Sequence, residues 1–311
     1  MTTSPSSSSP LPAFLSRCQA RVADTLQQQL AQQASPYAAA GNSRLASLRA
    51  ACLYSTGNGG KRLRPALFYA TANSLNPDTD SHDLDQIAAA LEALHCYSLV
   101  HDDLPAMDND ELRRGKPTCH IAFDEATAIL AGDGLLTFAF ELLASTRTLP
   151  PSVQIRLVRT LAEAGGNHGM VGGQMIDLES TGSAVNLAQL EEMHRMKTGA
   201  LIRASVVMGA LAAGATTETI AALDRYASAI GLAFQVQDDI LDIESDTATL
   251  GKKQGADLLL NKSTYPALLG LEGAKEKAAD LVRTAHEALA PLQDDLSLLH
   301  ALADYIVVRN H

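Results

Sequence analysis

The chain has 311 residues, which is long enough for one large domain or two small ones, and it carries a formal net charge of -11 at pH 7. This negative balance argues against nonspecific binding to nucleic acid, so local basic clusters fit small anionic ligands better. Hydrophobic residues make up 46% of the chain and aromatic residues only 4%, a composition that favours helices over a β-sandwich or a barrel.

The N-terminal residues and the cysteines indicate the compartment. Residues 1–10 are rich in Ser and Pro and contain neither a basic nor an apolar signal-peptide region, so we expect a disordered tail. The four cysteines form no CxxC pair, which is typical neither of a zinc site nor of a disulfide framework. The longest apolar stretch is taken to lie around Ala204–Ala213, and it is too short to span a bilayer. These features predict a cytoplasmic protein without a membrane span.

From Leu11 onward the sequence runs as apolar-periodic segments of about 15 to 25 residues, separated by short runs of Gly, Pro, Asn and Asp. No alternating strand pattern competes with the helical one. Pro150 and Pro151 interrupt the chain near its middle, yet the composition is similar on both sides and no long polar linker follows. We therefore predict one all-α domain over residues 11–311.

The segment Gly59–Pro65 places Lys61 and Arg64 in a glycine-led turn that opens a helical pattern. Free backbone N–H groups at the start of a helix already favour anions. The segment lacks the GxxxxGK[ST] spacing of a nucleotide P-loop. It therefore predicts a phosphate-binding site that does not serve a nucleoside triphosphate.

A first acidic cluster, Asp102, Asp103 and Asp108, follows an apolar helical run that contains His95 two turns upstream. An uninterrupted helix would place Asp108 roughly 120° from Asp102. Pro105 tends to end or kink that helix, so the chain after it can curl back toward Asp102. His95 is open to a structural as well as a functional interpretation.

A second acidic cluster consists of Asp238, Asp239 and Asp242, and the first and last of these share one helical face. A solvated acidic face is the alternative, but the preceding segment Ile230–Phe234 is apolar. Buried carboxylates are costly unless they are paired or bind a metal. Carboxylates without Cys or dedicated His ligands indicate Mg²⁺ or Mn²⁺, and Mg²⁺ usually shares its ligands with substrate phosphates. The two clusters together predict a metal site for a phosphorylated substrate.

Several cations follow these clusters. Lys197 interrupts an apolar stripe, so its ammonium would point toward the core and need an anionic partner, unless the side chain reaches out to solvent. The others, each of which alone could be a solvated surface charge, are Arg113, Arg114, Lys252 and Lys262.

Taken together, these residues resemble the trans-prenyltransferase (polyprenyl synthase) family, and within it the bacterial members that make farnesyl diphosphate. The resemblance covers nearly the whole chain and is carried by Gly60–Pro65, His101–Gly115, Gly172–Gln174, Lys197–Gly199 and Phe234–Asp242. It implies an isoprenoid synthase-like bundle of long helices around a central cavity, usually in a homodimer.

The resemblance also implies a reaction, the Mg²⁺-dependent condensation of isopentenyl diphosphate with dimethylallyl or geranyl diphosphate to give farnesyl diphosphate. The metal ions on the allylic diphosphate would be held by Asp102, Asp103, Asp108, Asp238, Asp239 and Asp242. Further cations on that diphosphate would be Arg113, Lys197, Lys252 and Lys262. The diphosphate of isopentenyl diphosphate would be bound by Lys61, Arg64, His95 and Arg114.

Three further residues receive roles from the same resemblance. Thr198 and Gln235 would face the reacting carbon and stabilise positive charge with their oxygen dipoles. Tyr97 lies five residues before Asp102, about 7.5 Å deeper along the helix, where it would limit the length of the product.

The sequence leaves other functions open. Geranyl or geranylgeranyl diphosphate could be the main product, or the chain could be a noncatalytic regulatory subunit of a prenyltransferase. A helical metal phosphohydrolase would use the pair His101 and Asp102 but would require further His ligands. A terpene cyclase would bind one diphosphate and would not need the group formed by Lys61, Arg64 and His95.

Overall fold

The computed structural model describes residues 11–32, 43–79, 81–180, 182–244 and 263–309. Over these ranges the chain is almost entirely helical, so the predicted all-α fold class is confirmed. The predicted tail, residues 1–10, and two of the predicted cations, Lys252 and Lys262, lie outside the described residues.

The helices follow one another through short connections. In chain order they are α1 (Leu11–Gln32), α2 (Ser43–Thr56), α3 (Leu63–Leu75), α4 (Ser81–Asp102), α5 (Cys119–Ala122), α6 (Glu125–Ala144), α7 (Pro151–Gly165), α8 (Met170–Ser180), α9 (Leu187–His194), α10 (Ala200–Ala212), α11 (Thr217–Glu244), α12 (Tyr265–Leu289) and α13 (Ser297–Val308). A π-helical turn, Arg195–Gly199, joins α9 to α10. Two short strands, β1 (Leu112–Arg113) and β2 (Lys116–Pro117), pair in antiparallel register.

Helix α4 runs through the centre of the molecule. Residues 86–94 are all buried, and α1, α2, α3, α6 and α10 pack around the helix. A helix that is apolar on every side is expected in a protein interior. Because α4 ends at Asp102, this central position brings the first acidic cluster to one end of the core.

The first turn of α4 carries the buried residue Asp83. Its carboxylate accepts hydrogen bonds from the backbone N–H groups of Arg147 (2.7 Å), Thr148 (2.8 Å) and Leu149 (3.2 Å), and from the Thr148 hydroxyl (2.7 Å). Burial raises the pKa of Asp83, but these bonds outweigh burial and hold it below its ordinary value. The carboxylate thereby ties the connection between α6 and α7 to the central helix.

Helix α11 packs against α10 and α12 and carries the second acidic cluster near its end. Tyr226 in α11 is fully buried, and its hydroxyl donates to the carbonyl oxygen of Leu299 at 2.7 Å, which joins α11 to α13. A second, smaller core surrounds the acidic end of α11 and includes Leu232, Val236 and Tyr265.

Helix α6 is long and apolar enough to cross a membrane by length and composition, and it is the one described helix that meets this test. The expectation that the longest apolar stretch lies around Ala204–Ala213 is therefore wrong, because the acidic residues of α6 interrupt a longer apolar segment. In the structure α6 packs against α4 and α2, and 44% of the apolar window is buried inside the molecule. The core helix of a soluble protein passes the same test, so this finding is weak evidence for a membrane span.

Candidate active site

Two cavities meet where α4 ends. The first, which we call the polar cavity, has a volume of about 390 Å³ and is lined by charged side chains from both acidic clusters. The second, the apolar cavity, has a volume of about 670 Å³ and is lined mostly by apolar side chains of α4, α8 and the π-helical turn. Both cavities are lined by Asp102, Lys197 and Thr198, which therefore mark their junction.

The backbone of the first acidic cluster folds back on itself after α4. The N–H of Asp108 donates to the carbonyl oxygen of Asp102 at 2.9 Å, and both residues line the polar cavity. Asp103 is 3% exposed and is not among the lining residues. It accepts a hydrogen bond from Arg113 Nε at 2.7 Å, and Arg113 Nη2 lies 2.5 Å from the same oxygen as part of the ion pair. Arg113 does line the polar cavity.

The second acidic cluster reaches the same cavity from α11. Asp238 and Asp239 line it, and Asp239 Oδ2 accepts a hydrogen bond from the backbone N–H of Tyr265 at 2.9 Å. Asp242 is buried and is not among the lining residues. Carboxylates from both clusters therefore share one cavity, while Asp103 and Asp242 stand behind it.

The donor set of the polar cavity fits divalent metal ions. It supplies carboxylate oxygens, the ligands that Mg²⁺ and Mn²⁺ prefer. Over the described ranges, no three carboxylate, imidazole or thiol side chains are close enough to enclose one ion by themselves. Mg²⁺ is usually held by one or two carboxylates and completed by substrate phosphates. Asp102, Asp108, Asp238 or Asp239 would therefore hold such ions together with a phosphorylated ligand.

Arg309 is a member of this site that the sequence analysis missed. Its Nη2 atom donates to Asp238 Oδ1 at 2.6 Å and to the carbonyl oxygen of Phe234 at 3.0 Å. The guanidinium also lies 4.1 Å from the centre of the Phe234 ring. Its side chain is 2% exposed, against 40% for Asp238. A single Arg outside any motif gives no signal in a sequence, so only the packing of α13 on α11 reveals this contact.

A group of basic residues, which we call the basic cluster, comprises Lys61, Arg64, His95 and Arg114. Lys61 lines the polar cavity, whereas Arg64 and His95 line the apolar cavity. Arg114 donates from Nη1 to the carbonyl oxygen of Gly59, and a Cβ atom at Gly60 would overlap its guanidinium. The glycine at position 60 is therefore needed for this close approach.

The hairpin formed by β1 and β2 orients the two arginines. Arg114 (φ 53°) and Gly115 (φ 73°) form its turn, and positive φ at both central residues is typical of a tight two-residue hairpin. Arg113 precedes the turn and faces Asp103, whereas Arg114 faces Gly59. The two adjacent arginines thus contact different parts of the site, the first acidic cluster and the glycine-led turn.

The basic cluster brings four basic groups close together; Lys61, Arg64 and His95 are half-buried and Arg114 is exposed. Burial, with Arg64 and Arg114 nearby, lowers the pKa of His95 well below its ordinary value. Burial also lowers the pKa of Arg64, whose Nε atom has no hydrogen-bond partner within the described chain. An anion placed here would give Arg64 Nε a hydrogen-bond acceptor and would add negative charge beside Lys61 and Arg114.

A buried ion pair supports the loop that carries Lys61 and Arg64. Arg62 adopts a left-handed conformation (φ 49°), and its guanidinium donates to Glu92 of α4 and, at 2.5 Å, to the carbonyl oxygen of Thr56. Both charged side chains are almost completely buried. The pair fixes the backbone between the two predicted anion-binding residues.

Lys197 lies on the π-helical turn, and glycines on two neighbouring helices allow that turn to pack closely. A Cβ atom at Gly173 of α8 would lie 2.2 Å from the backbone nitrogen of Lys197, and one at Gly231 of α11 would lie 3.1 Å from Gly199 Cα. The Lys197 ammonium donates to Asp177 Oδ2 at 2.7 Å. Short π-helical segments are frequent at functional sites.

The remaining predicted residues lie along the two cavities. Thr198 stands at their junction, and Gln235 lines the polar cavity. Tyr97 lines the apolar cavity and is 5% exposed, and its ring packs edge-on against His101 at 5.5 Å between centroids.

Comparisons with known proteins identify the relatives of this chain. The polyprenyl synthetase family model matches residues 46–297. The chain is 57% identical over 258 residues to farnesyl diphosphate synthase of Escherichia coli (strain K12), a match that covers 81% of this chain and 86% of the relative.

Two solved structures extend the likeness to nearly the whole chain. The FPP/GFPP synthase of Zymomonas mobilis has a TM-score of 0.83 and 36% identity, covering 96% of this chain and 99% of that one. The geranyltransferase of Helicobacter pylori was solved with magnesium and isoprenyl diphosphate. It has a TM-score of 0.79 and 34% identity, and the match covers 99% of this chain and 98% of that one. These matches confirm the predicted helical architecture.

Proposed function

This chain belongs to the polyprenyl synthetase family, and we propose that it condenses isopentenyl diphosphate with dimethylallyl or geranyl diphosphate, giving farnesyl diphosphate and diphosphate. The observation that carries this proposal is the junction of the two cavities at Asp102, Lys197 and Thr198. A prenyl diphosphate has a charged end and an apolar end, and the bond between them would lie at that junction. The names of the relatives favour this synthase over a hydrolase, a cyclase or a regulatory subunit.

The metal ions belong to the same proposal. The family uses divalent metal ions, and we propose Mg²⁺, with Mn²⁺ as a substitute. The ligands predicted from the sequence are Asp102, Asp103, Asp108, Asp238, Asp239 and Asp242. Of these, Asp102, Asp108, Asp238 and Asp239 line the polar cavity and would hold the ions directly, whereas Asp103 and Asp242 lie behind its wall and would support them. When bound, the metal ions neutralise the charge that develops on the departing diphosphate.

The side chains of this chain then have distinct tasks in the first step. Lys197 and Arg113 donate hydrogen bonds to the allylic diphosphate while its carbon–oxygen bond breaks, and the oxygen keeps the electron pair. The carbon fragment becomes an allylic cation. Oxygen atoms of Thr198 and Gln235 face that cation and stabilise its charge.

In the second step the basic cluster holds isopentenyl diphosphate beside the cation. The alkene supplies an electron pair to form the new carbon–carbon bond, and a proton then leaves to the departed diphosphate, which restores a double bond. No protein nucleophile is required. Rate acceleration comes from orientation, and the apolar cavity keeps water from quenching the cation.

The test is to incubate the purified protein with isopentenyl diphosphate and either allylic substrate, with and without Mg²⁺, and to identify the prenyl alcohols after dephosphorylation. We expect Mg²⁺-dependent farnesol from both primers. Geraniol or geranylgeraniol as the main alcohol would support the proposed condensation but reject the proposed length of the product. A folded protein that forms no condensation product would reject the function.

We also propose a cytoplasmic homodimer. Helix α6 exposes Ala126, Ile129, Leu130 and Gly134 on one face, and the same face carries Asp133, which lies 3.9 Å from His101. Such a face can approach its own copy closely about a two-fold axis, and burial of Ile129 and Leu130 would stabilise the contact. This contact would account for the apolar character of α6 without a membrane.

A further inference from the structure

We propose that Asp177 is a positioning residue for Lys197, and that its carboxylate holds the Lys197 ammonium at the junction of the two cavities and away from Asp102. The inference rests on the proposed function. Asp177 lies on α8, lines the polar cavity and is 7% exposed.

The distances show which carboxylate accepts a hydrogen bond from Lys197. Lys197 Nζ lies 2.7 Å from Asp177 Oδ2 but 3.7 Å from Asp102 Oδ1. The first distance is a charge-assisted hydrogen bond, and the second is too long for one. The Asp177 side chain is only 10% exposed, so this bond is screened less than a surface ion pair. Asp177 therefore fixes the position of the ammonium.

Gln174 holds Asp102 by a hydrogen bond, as Asp177 holds Lys197. Its Nε2 atom donates to Asp102 Oδ1 at 2.6 Å. Gln174 and Asp177 are three residues apart on α8, so they are neighbours on one helical face. One turn of α8 thus holds Asp102 and Lys197 separately, and keeps the predicted metal ligand apart from the predicted diphosphate donor.

This separation matters because a metal ion and an ammonium would compete for the same carboxylate oxygens. Without the charge of Asp177, Asp102 becomes the nearest carboxylate to which the Lys197 ammonium can turn. An ammonium bound to Asp102 would oppose metal binding there, and it would no longer point to a diphosphate oxygen. Asp177 therefore supports both metal affinity and the breaking of the carbon–oxygen bond.

The contact acts on the end of the Lys197 side chain and not on its backbone. The backbone of the π-helical turn is already held by its close approach to Gly173 of α8. Replacing Asp177 with Asn keeps the shape of the side chain and removes its charge. We expect Asp177→Asn to fold and to change chemistry more than stability.

The experiment compares the wild type with Asp177→Asn at varied Mg²⁺ and substrate concentrations. We expect kcat to fall about tenfold to a hundredfold, as for the loss of a hydrogen bond to a charged group. The Mg²⁺ concentration at half-maximal rate should rise about tenfold, and so should the dissociation constant of Mn²⁺ measured by electron paramagnetic resonance with inorganic diphosphate and without turnover, as when a group supporting a metal ligand is lost. KM for isopentenyl diphosphate should stay unchanged, because the basic cluster is intact.

The matched control is Asp224→Asn, which also removes the charge of an aspartate paired with a basic side chain. Asp224 pairs with Arg203, and neither residue lines either cavity. This variant should leave kcat and the Mg²⁺ dependence as in the wild type. A double-mutant cycle adds a second control, because Asp177→Asn in a Lys197→Met background should change kcat by less than about twofold.

An Asp177→Asn protein with the kcat and Mg²⁺ dependence of Asp224→Asn would overturn the proposal. If circular dichroism shows that Asp177→Asn does not fold, Asp177→Glu replaces it, since Glu keeps the charge. The Glu variant should keep the wild-type Mg²⁺ dependence, and a tenfold increase would also reject the proposal. An inactive wild type would instead reject the proposed function.

Discussion

Lys61 is surrounded by other cations on the wall of the polar cavity. Burial, together with nearby Arg309 and Arg114, lowers its pKa from 10.5 to about 8, against an opposing effect of Asp238. Lys61 is therefore charged below about pH 8 and loses its charge above it. We expect the affinity for isopentenyl diphosphate, measured by calorimetry without added metal, to fall about fivefold to tenfold between about pH 7 and pH 9.5.

The control for this pH dependence is Lys61→Arg. A guanidinium stays protonated throughout that range, so the affinity of the variant should vary much less with pH. A wild-type affinity that is equally constant up to about pH 9.5 would show that the charge of Lys61 does not contribute to binding.

Tyr97 is the residue for which we predict control of product length. Its ring lines the apolar cavity beside His101, and truncation to Ala would lengthen the space available to the growing prenyl chain. We expect Tyr97→Ala to shift the main product from fifteen to twenty carbons, measured by chromatography of the dephosphorylated alcohols. The variant Tyr97→Phe keeps the ring and should retain the original product. If Tyr97→Ala forms the same product as the wild type, Tyr97 does not control product length.

Residues with a motif were easier to find from the sequence than residues without one. The acidic clusters, the glycine-led turn and Lys197 stand out because their charges interrupt apolar or helical patterns, and the structure places most of them on the two cavities. Arg309 has no such pattern. The contact between Lys197 and Asp177 joins α8 to the π-helical turn, so it depends on packing that the sequence does not display.

At the level of secondary structure, α8 and the π-helical turn approach each other very closely. A methyl group at Gly173 would lie 2.2 Å from the backbone nitrogen of Lys197, so Gly173→Ala must push the turn away from α8. A displacement of about 1 Å in a catalytic group can reduce a rate about a hundredfold. We expect Gly173→Ala to reduce kcat about tenfold to a hundredfold in steady-state assays.

Gly273→Ala provides the matched control in α12. Its added methyl group would lie 3.1 Å from Leu269 Cβ, a side-chain atom far from the site, and not against a backbone. This variant should retain the wild-type kcat. Equal activity of both variants would mean that the turn tolerates displacement.

The helices themselves were predictable because their apolar periodicity is long and regular. The hairpin of β1 and β2 was not, since strands of two residues are too short for an alternating pattern. The π-helical turn was also invisible, because α9, the turn and α10 read as one continuous helical pattern. A break at Gly270 (φ 74°) inside α12 likewise has no clear signal in a single sequence.

For the whole molecule, the exposed apolar face of α6 predicts self-association. Leu130 is 55% exposed on that face, and a charge there would be buried without a partner in a dimer. We expect Leu130→Glu to convert the dimer to a monomer in analytical ultracentrifugation. Ile155→Glu, which changes an exposed residue of α7 (65% exposed), is the control and should stay dimeric. A monomeric wild type would rule out this interface.

The architecture of the whole chain followed from composition and from the resemblance, whereas the shape of the site did not. No sequence pattern indicates that Asp103 and Asp242 stand behind the cavity wall while their neighbours line it. That difference depends on how α4 and α11 are rotated against their neighbours. Rotation is set by side-chain packing over the whole bundle.

The contact of Arg309 with Asp238 has a consequence for how the protein matures during synthesis. Lys61, near the start of the described chain, lines the polar cavity together with Asp238, and Asp238 accepts a hydrogen bond from a guanidinium at the far end of the described chain. Earlier helices can pack while the ribosome is still working, but Asp238 lacks this partner until residue 309 has left the exit tunnel. Until then, a nascent chain would carry an acidic cluster without its final countercharge.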